Sequence, residues 1–167
     1  IDLNSFLKSY INNYNLLHPN TSIDYSDCGE TTAALVSDFR IEQMMDKIMD
    51  NAIDFHRKDS TIKVQLDKTE THLRVTVANR GSMLAPSIQD SLFDSMVSHR
   101  DQHNRLHFGL GLYVVRIIAE HHGGFVRAVN LADNSGVAVV IQLPLAKQSR
   151  QEEKQELAIT TREKIAS

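Results

Sequence analysis

The stretch "HFGLGLYVVRIIAEHHGG", from His107 to Gly124, holds four of the chain's seven glycines, two on each side of an amphipathic run. Gly109 and Gly111 stand where a helix would begin. There the unpaired backbone N–H groups and the positive end of the helix suit a phosphate. GLG ahead of a helix is a weak signal by itself, and a glycine that serves close packing explains it as well. The order is not the strand–turn–helix with G-x-G-x-x-G of a dinucleotide fold, and no Lys-Ser/Thr pair follows as in a P-loop. At the far end, Gly123 or Gly124 suits the left-handed turn that closes a helix, with His121 and His122 in its last turn.

Three other segments carry polar groups in telling places. "MMDKIMDNAIDF" puts Asn51 inside an apolar helical stripe, where an amide without a partner is costly. A hydrogen-bonded core amide and a ligand for Mg²⁺ beside phosphates both account for it. Lys47, Asn51, Asp54 and Phe55 are spaced by three and four residues, so they share one helix face. In "VANRGSMLAP" a strand ends at Asn79 and Gly81 allows a sharp turn. Asn79 either caps the strand or reads the edge of a base. In "LFDSMVSHRDQHNRLHFGLGL", Leu92 and Phe93 are apolar anchors in a polar loop, and Arg100 and Arg105 are the cations nearest the glycines. His99, His103 and His107 recur every four residues, a metal spacing on a helix. No carboxylate or cysteine pattern supports that reading, and the segment lacks a helical pattern.

These groups need elements to hold them. The 167 residues suffice for one domain with a core. Apolar residues make up 41% and charged ones 23%, as in globular proteins. A net charge of −3 argues against nucleic acid as a partner. Cys28 is the single cysteine, so no internal disulfide forms and a reducing compartment fits. No apolar run reaches 18 residues and no signal peptide opens the chain. A start at Ile1 rather than Met suggests a fragment of something longer.

Leu3, Phe6, Leu7, Tyr10, Ile11 and Tyr14 predict a first helix, started by Asp2 or Asn4. "TSIDYSDC" alternates like a strand, and "TTAALV" reads as another. A second helix runs from about Asp38 to His56. "STIKVQLDKTETHLRVTVAN" predicts an antiparallel hairpin with a polar turn at Lys68 to Thr71. Arg80 to Phe108 has little periodicity beyond a helical turn near "SIQDSLF", and weak order is expected between about Asp94 and Leu106 without nucleotide. After the glycine-flanked helix, "GFVRAVNLADNSGVAVVIQLPL" predicts two strands turning at Asp133 to Gly136. The expected division is a domain at 1–146 and a polar tail at 147–167, helical or disordered. The fold class is α+β, with helices on one face of a mixed, mostly antiparallel sheet.

In this order, an Asn-bearing helix, an Asn-x-Gly at a strand end, a Phe-anchored loop and a GLGL helix start resemble the GHKL (Bergerat) ATP-binding fold. The likeness is to the catalytic domain of sensor histidine kinases, with its N, G1, F and G2 boxes, and runs from about Asp2 to Leu145. "GLGLYVVRIIAEHHGG" is similar to the G2 stretch over its whole length. "LFDSMVSHR" and "MDKIMDNAIDF" are also similar to kinases that accompany dedicated sortase systems in some proteobacteria. The resemblance implies a two-layer α/β sandwich with ATP and Mg²⁺ between the N-box and G2 helices. On it, Asn51 would hold Mg²⁺, Phe55 would pack against the base, and Asn79, beside Gly81, would accept the adenine amino group. Gly109, Leu110, Gly111 and Leu112 would offer N–H groups to the phosphates, with Arg100 and Arg105 as further contacts.

Several positions depart from that family's pattern. Asn79 stands where an Asp is usual; its carbonyl still accepts the bond, without charge assistance. Met83 replaces the second G1 glycine, and His107-Phe108 replaces the first Gly-Thr of G2. Asp54 stands where a Lys or Arg is usual. Lys47 replaces the earlier N-box Asn and becomes a candidate contact for a phosphate oxygen. The competing role for Lys47 is a surface pair with Asp50 or Asp54. Hydrolysing relatives place a general-base Glu there, a task a protonated lysine cannot perform. The resemblance thus implies a protein-histidine kinase that transfers the γ-phosphoryl group to a histidine on a separate dimerisation domain. It also implies a response regulator as partner, and a cytoplasmic position in a dimeric inner-membrane sensor. Two readings compete: a degenerate GHKL domain with weak or no ATP binding that serves as an interaction module, and another GHKL ATPase or serine kinase.

Overall fold

Helix α1 (Leu3–Leu17) begins where Asp2 caps it, the carboxylate accepting a hydrogen bond from Ser5 N–H at 2.8 Å. The computed structural model describes residues 1–30, 32–89, 91–94 and 110–146, together with the backbone at 99–100 and 106–107. After α1 come β1 (Ser22–Ser26), α2 (Asp38–Phe55), β2 (Thr61–Lys68), β3 (His72–Arg80) and the short α3 (Pro86–Gln89). A two-residue ribbon follows, β4 (His99–Arg100) with β5 (Leu106–His107). The chain continues with α4 (Leu110–His121), β6 (Phe125–Asn130) and β7 (Gly136–Pro144). No described helix is long and apolar enough to cross a membrane.

The main sheet has the order β1-β2-β3-β7-β6. Only β1 and β2 run parallel, because α2 lies between them in sequence and supplies the crossover that parallel strands require. The other neighbours are antiparallel, so the sheet is mixed and mostly antiparallel, as expected.

Strand alternation decides which face is covered. Ile62, Val64 and Leu66 on β2 and Leu73, Val75 and Val77 on β3 are buried, while Lys63 and Gln65 are exposed. The apolar stripes of the helices meet that face: Leu3, Leu7, Tyr10 and Ile11 of α1, Ile41, Met44, Met45, Ile48 and Met49 of α2, and Leu112, Val115 and Ile118 of α4. Each such side chain contributes about 1.5–3 kcal/mol by leaving water.

Two expectations need correction. The described part of "TTAALV", residues 32–36, forms no strand: Ala33 bridges Asp2 and Ala34 bridges Leu145, one residue each. Thr32 is fully buried and spends its polar groups on α1 instead, accepting from Asn4 N–H at 2.8 Å and donating its own N–H to Asp2 at 3.1 Å. Strand β3 also runs one residue beyond Asn79. The expected tail, residues 147–167, and most of the stretch expected to be weakly ordered lie outside the described residues.

Candidate functional site

Three elements converge where the sequence placed its polar groups. The stripe of α2 buries Ile41, Met44, Ile48 and Ala52, and Lys47, Asn51 and Phe55 follow one another along its border at steps of four. A Cβ on Gly111 would stand 3.5 Å from Lys47 Cδ, so the first turn of α4 lies over the Lys47 end of that line. A Cβ on Gly81 would stand 2.0 Å from the Phe55 carbonyl oxygen, so the end of β3 closes the other end. Eight residues of helix separate the two contacts, about 12 Å at the usual rise. Asn51 lies midway.

The core-amide explanation of Asn51 does not hold. Its side chain is half-buried and bonds to no described residue. Lys47 is exposed and makes no ion pair among the described residues, so the surface pairing with Asp50 or Asp54 is not formed. Asp46 and Asp50, on the adjoining side of α2, are turned to α1. Tyr10 donates to Asp46 at 2.8 Å, and burial, with Asp50 next, pushes the Tyr14 hydroxyl up to about 12.

Asn79 belongs to the inward parity of β3, after Leu73, Val75 and Val77, and is only 7% exposed. Its Nδ2 is buried with no hydrogen-bond partner among the described residues, a costly arrangement that points to an interaction beyond them. Gly81 is required beside it. Its φ is +157°, its N–H donates to Ser135 O at 2.9 Å, and the Phe55 carbonyl leaves no room for a side chain. His56 bridges Gly81, and Arg57 N–H donates to Arg80 O at 2.7 Å, so the exit of α2 is stitched to the end of β3.

At the head of α4, Leu110 is exposed, Gly111 half-buried and Leu112 buried. None of their N–H groups bonds to the backbone of another described residue. These are the donors that a helix start leaves unpaired. The opposite end is closed by Gly123, at φ +73°, whose N–H donates to Glu120 O at 2.9 Å.

Of the predicted site residues, Lys47, Asn51, Phe55, Asn79, Gly81, Leu110, Gly111 and Leu112 line this one region. Gly109 and Arg105 lie outside the described residues, and for Arg100 only the backbone is described, in β4. His99 and His107 are cross-strand partners in the β4–β5 ribbon, which removes the helical metal spacing; His103 lies outside the described residues. No group of three or more His, Cys, Asp or Glu suited to a metal occurs among the described residues.

Leu92 and Phe93 are buried, 7% and 5% exposed, as expected of anchors. Behind them Arg116 of α4 bonds to Asp94, with Glu120 3.7 Å away on the same helix. That clamp was not legible from spacing. Nor was Asn130, whose amide grips Leu84 from both sides, accepting from its N–H at 2.8 Å and donating to its C=O at 3.0 Å. The segment leaving Gly81 is thereby fixed. Asn130 and Asn79 both pair with Val137 of β7, so two amides flank one valine in a single row across the sheet. A polar residue at an inward strand position could have singled out Asn130 as it did Asn79, but not the partner it takes.

Comparison with known proteins bears on the family and the fold. The family described as histidine kinase-, DNA gyrase B- and HSP90-like ATPase matches residues 37–147. The sensor protein DltS of Streptococcus agalactiae is 30% identical over 107 residues, covering 64% of this chain and 27% of that protein. The sensor protein ChvG of Agrobacterium fabrum is 31% identical over 138 residues, covering 75% of this chain and 23% of that protein. The chain thus spans about a quarter of the length of these relatives. Among solved structures, a nucleotide-free catalytic domain of the histidine kinase ThkA superposes with a TM-score of 0.75 at 22% identity, covering 87% of this chain and 95% of that one. The mycobacterial sensor histidine kinase MprB gives 0.72 at 17% identity, covering 87% and 95%. These structures share the fold.

Proposed function

Because the chain belongs to the family of histidine kinase-, DNA gyrase B- and HSP90-like ATPases, we propose that it is the ATP-binding catalytic domain of a two-component sensor histidine kinase. It binds Mg-ATP and passes the γ-phosphoryl group to a histidine on a separate dimerisation domain. The observation that carries this reading is the convergence on one strip of α2 of the free Asn51 amide and the unpaired N–H groups heading α4.

Asn51 fits a Mg²⁺ ion. It offers one neutral oxygen, and this ion usually takes one or two protein ligands, completing its shell with phosphate oxygens and water. A bound Mg²⁺ would neutralise phosphate charge. The chain's own residues do the remainder. Leu110, Gly111 and Leu112 point N–H dipoles at the phosphates, together with Gly109 by sequence. Lys47, one turn before Asn51, is placed to contact a phosphate oxygen, with Arg100 and Arg105 as further cations. Phe55 packs against the base, and Asn79 reads its edge beside Gly81.

Lys47 also bears on the reaction class. A protonated ammonium at the phosphate end cannot withdraw a proton from water, so the site positions and neutralises rather than activates a nucleophile. The acceptor histidine brings its own. In the whole protein the partners are then that histidine-bearing domain and a response regulator, and the domain lies on the cytoplasmic side of an inner-membrane dimer. "LFDSMVSHR" and "MDKIMDNAIDF" support a narrower place among kinases that accompany dedicated sortase systems.

The test is a calorimetric titration of the chain with ATP, with and without Mg²⁺, followed by addition of the histidine-bearing domain. Mg²⁺-dependent binding and an acid-labile, base-stable phosphate on that domain are expected. Absence of nucleotide binding would leave an interaction module of the same fold.

A further inference from the structure

Asn79 and Asn130 flank Val137 in one row of the sheet, yet among the described residues only one of the two amides finds partners. Asn130 is saturated by the N–H and C=O of Leu84. Asn79 is 7% exposed and its Nδ2 bonds to no described residue, while Gly81, the nearest turn, keeps a Cβ position 3.6 Å from that nitrogen. The site therefore holds a donor and an acceptor on one planar group, whose nitrogen lies beside Gly81 at the Phe55 end of the α2 strip.

We propose that Asn79 makes this a purine site of relaxed specificity, which accepts 6-oxopurine nucleotides (GTP and ITP) alongside ATP. The inference rests on the nucleotide reading above and extends it to base selection. A carboxylate can only accept, so it welcomes the 6-amino group of adenine and repels a 6-oxo group. A carboxamide has both characters. With its oxygen toward the 6-position it accepts from the adenine amino group and donates from Nδ2 to N1, an acceptor. Turned by 180° about its last side-chain torsion, it donates to the 6-oxo group and accepts from the N1–H of guanine or hypoxanthine. Both poses satisfy the nitrogen that is otherwise orphaned, and neither leaves a buried group unpaired. A site that hydrogen-bonds both edges has no unpaired group with which to reject either.

The experiment is competitive binding of Mg-ATP, Mg-GTP and Mg-ITP to the 167-residue chain and to Asn79→Asp, read by calorimetry. ITP separates the 6-oxo edge from the 2-amino group of guanine. For the native chain, ATP, ITP and GTP dissociation constants within about tenfold of one another are expected. Asn79→Asp should retain ATP and weaken ITP at least about tenfold. A native chain that prefers ATP over ITP by more than about tenfold overturns the inference and leaves the proposed function standing. Binding of neither nucleotide overturns both. Asn79→Asp binding ITP like the native chain overturns the assignment to Asn79. The native ratio needs no variant, so it decides even where Asn79→Asp folds poorly.

Discussion

Gly111 lies against the aliphatic stem of Lys47: a Cβ on the glycine would stand 3.5 Å from the lysine Cδ and 4.0 Å from its Cβ. That is ordinary van der Waals contact, and Gly111 is not among the residues with positive φ. Neither packing against the described residues nor conformation therefore demands a glycine at 111. Gly81, Gly124 and Gly136 differ, each with a backbone oxygen 2.0 Å from where a Cβ would be. What a methyl group at 111 would crowd is the approach of a ligand to the N–H groups of the first turn.

Gly111→Ala should accordingly separate stability from binding. Alanine is the better helix former, so the melting temperature should hold or rise, by up to about 1 kcal/mol of stability. ATP affinity should fall about tenfold, as the methyl group pushes the phosphates away. Unchanged affinity by calorimetry would reduce Gly111 to an ordinary helix residue.

Lys47→Ala should weaken Mg-ATP binding roughly tenfold, the scale of one charge-assisted contact to phosphate. Thermal stability should stay within about 0.5 kcal/mol, because the side chain is exposed and makes no ion pair among the described residues. Raised salt should erode the difference between native and variant. A variant that binds like the native chain at low salt would remove Lys47 from the site.

Gly81→Ala acts on the scaffold. Its methyl group would meet the Phe55 carbonyl oxygen at 2.0 Å, backbone against backbone, so the end of α2 must part from β3. The hydrogen bond from Arg57 N–H to Arg80 O runs across that junction. A loss of roughly 2–4 kcal/mol in denaturant unfolding is expected. A melt unchanged from the native chain would mean that the two elements yield freely.

The sequence made the layers legible where period and parity were clean. The stripe of α2 and the alternation of β2 and β3 each have one covered face, and hydrophobic burial enforces both. It failed at "TTAALV", where alternation predicts a strand but Thr32 is committed to the start of α1 through bonds 28 and 30 residues away in sequence. Asn51 and Asn79 were visible as polar residues at positions that otherwise bury apolar ones, and Gly109 and Gly111 as glycines at the predicted start of a helix. The Asn130 grip on Leu84 and the Arg116–Asp94 clamp were not. Each joins segments more than twenty residues apart, and no local pattern announces such a pair.

Asn51→Ala should abolish the Mg²⁺ dependence of ATP binding while leaving the fold intact. The amide is half-buried and bonded to no described residue, so its removal strands no partner. Stability should move by no more than about 0.5 kcal/mol. ATP titrations in Mg²⁺ and in a chelator should then coincide for the variant and differ for the native chain. A variant that still responds to Mg²⁺ would assign the ion to other oxygens.

Acid should loosen the start of α1. Hydrogen bonds from the backbone N–H of Ser5 and of Thr32 hold the Asp2 carboxyl below its usual value of 3.8. The ionised form is therefore favoured in the folded state, and folding is favoured wherever the group is ionised. Its contribution is whole above the unfolded value and is lost as pH falls through the lower folded one. Asp2→Ala should destabilise the chain at pH 7 by about 1 kcal/mol, the scale of a lost helix cap. Melts of the two proteins should draw together as the pH falls below 3.8, where the native carboxylate also loses its charge. A gap that persists unchanged through that range would mean that α1 is held by its buried face alone, with Leu3 and Leu7 doing the work now assigned to the cap.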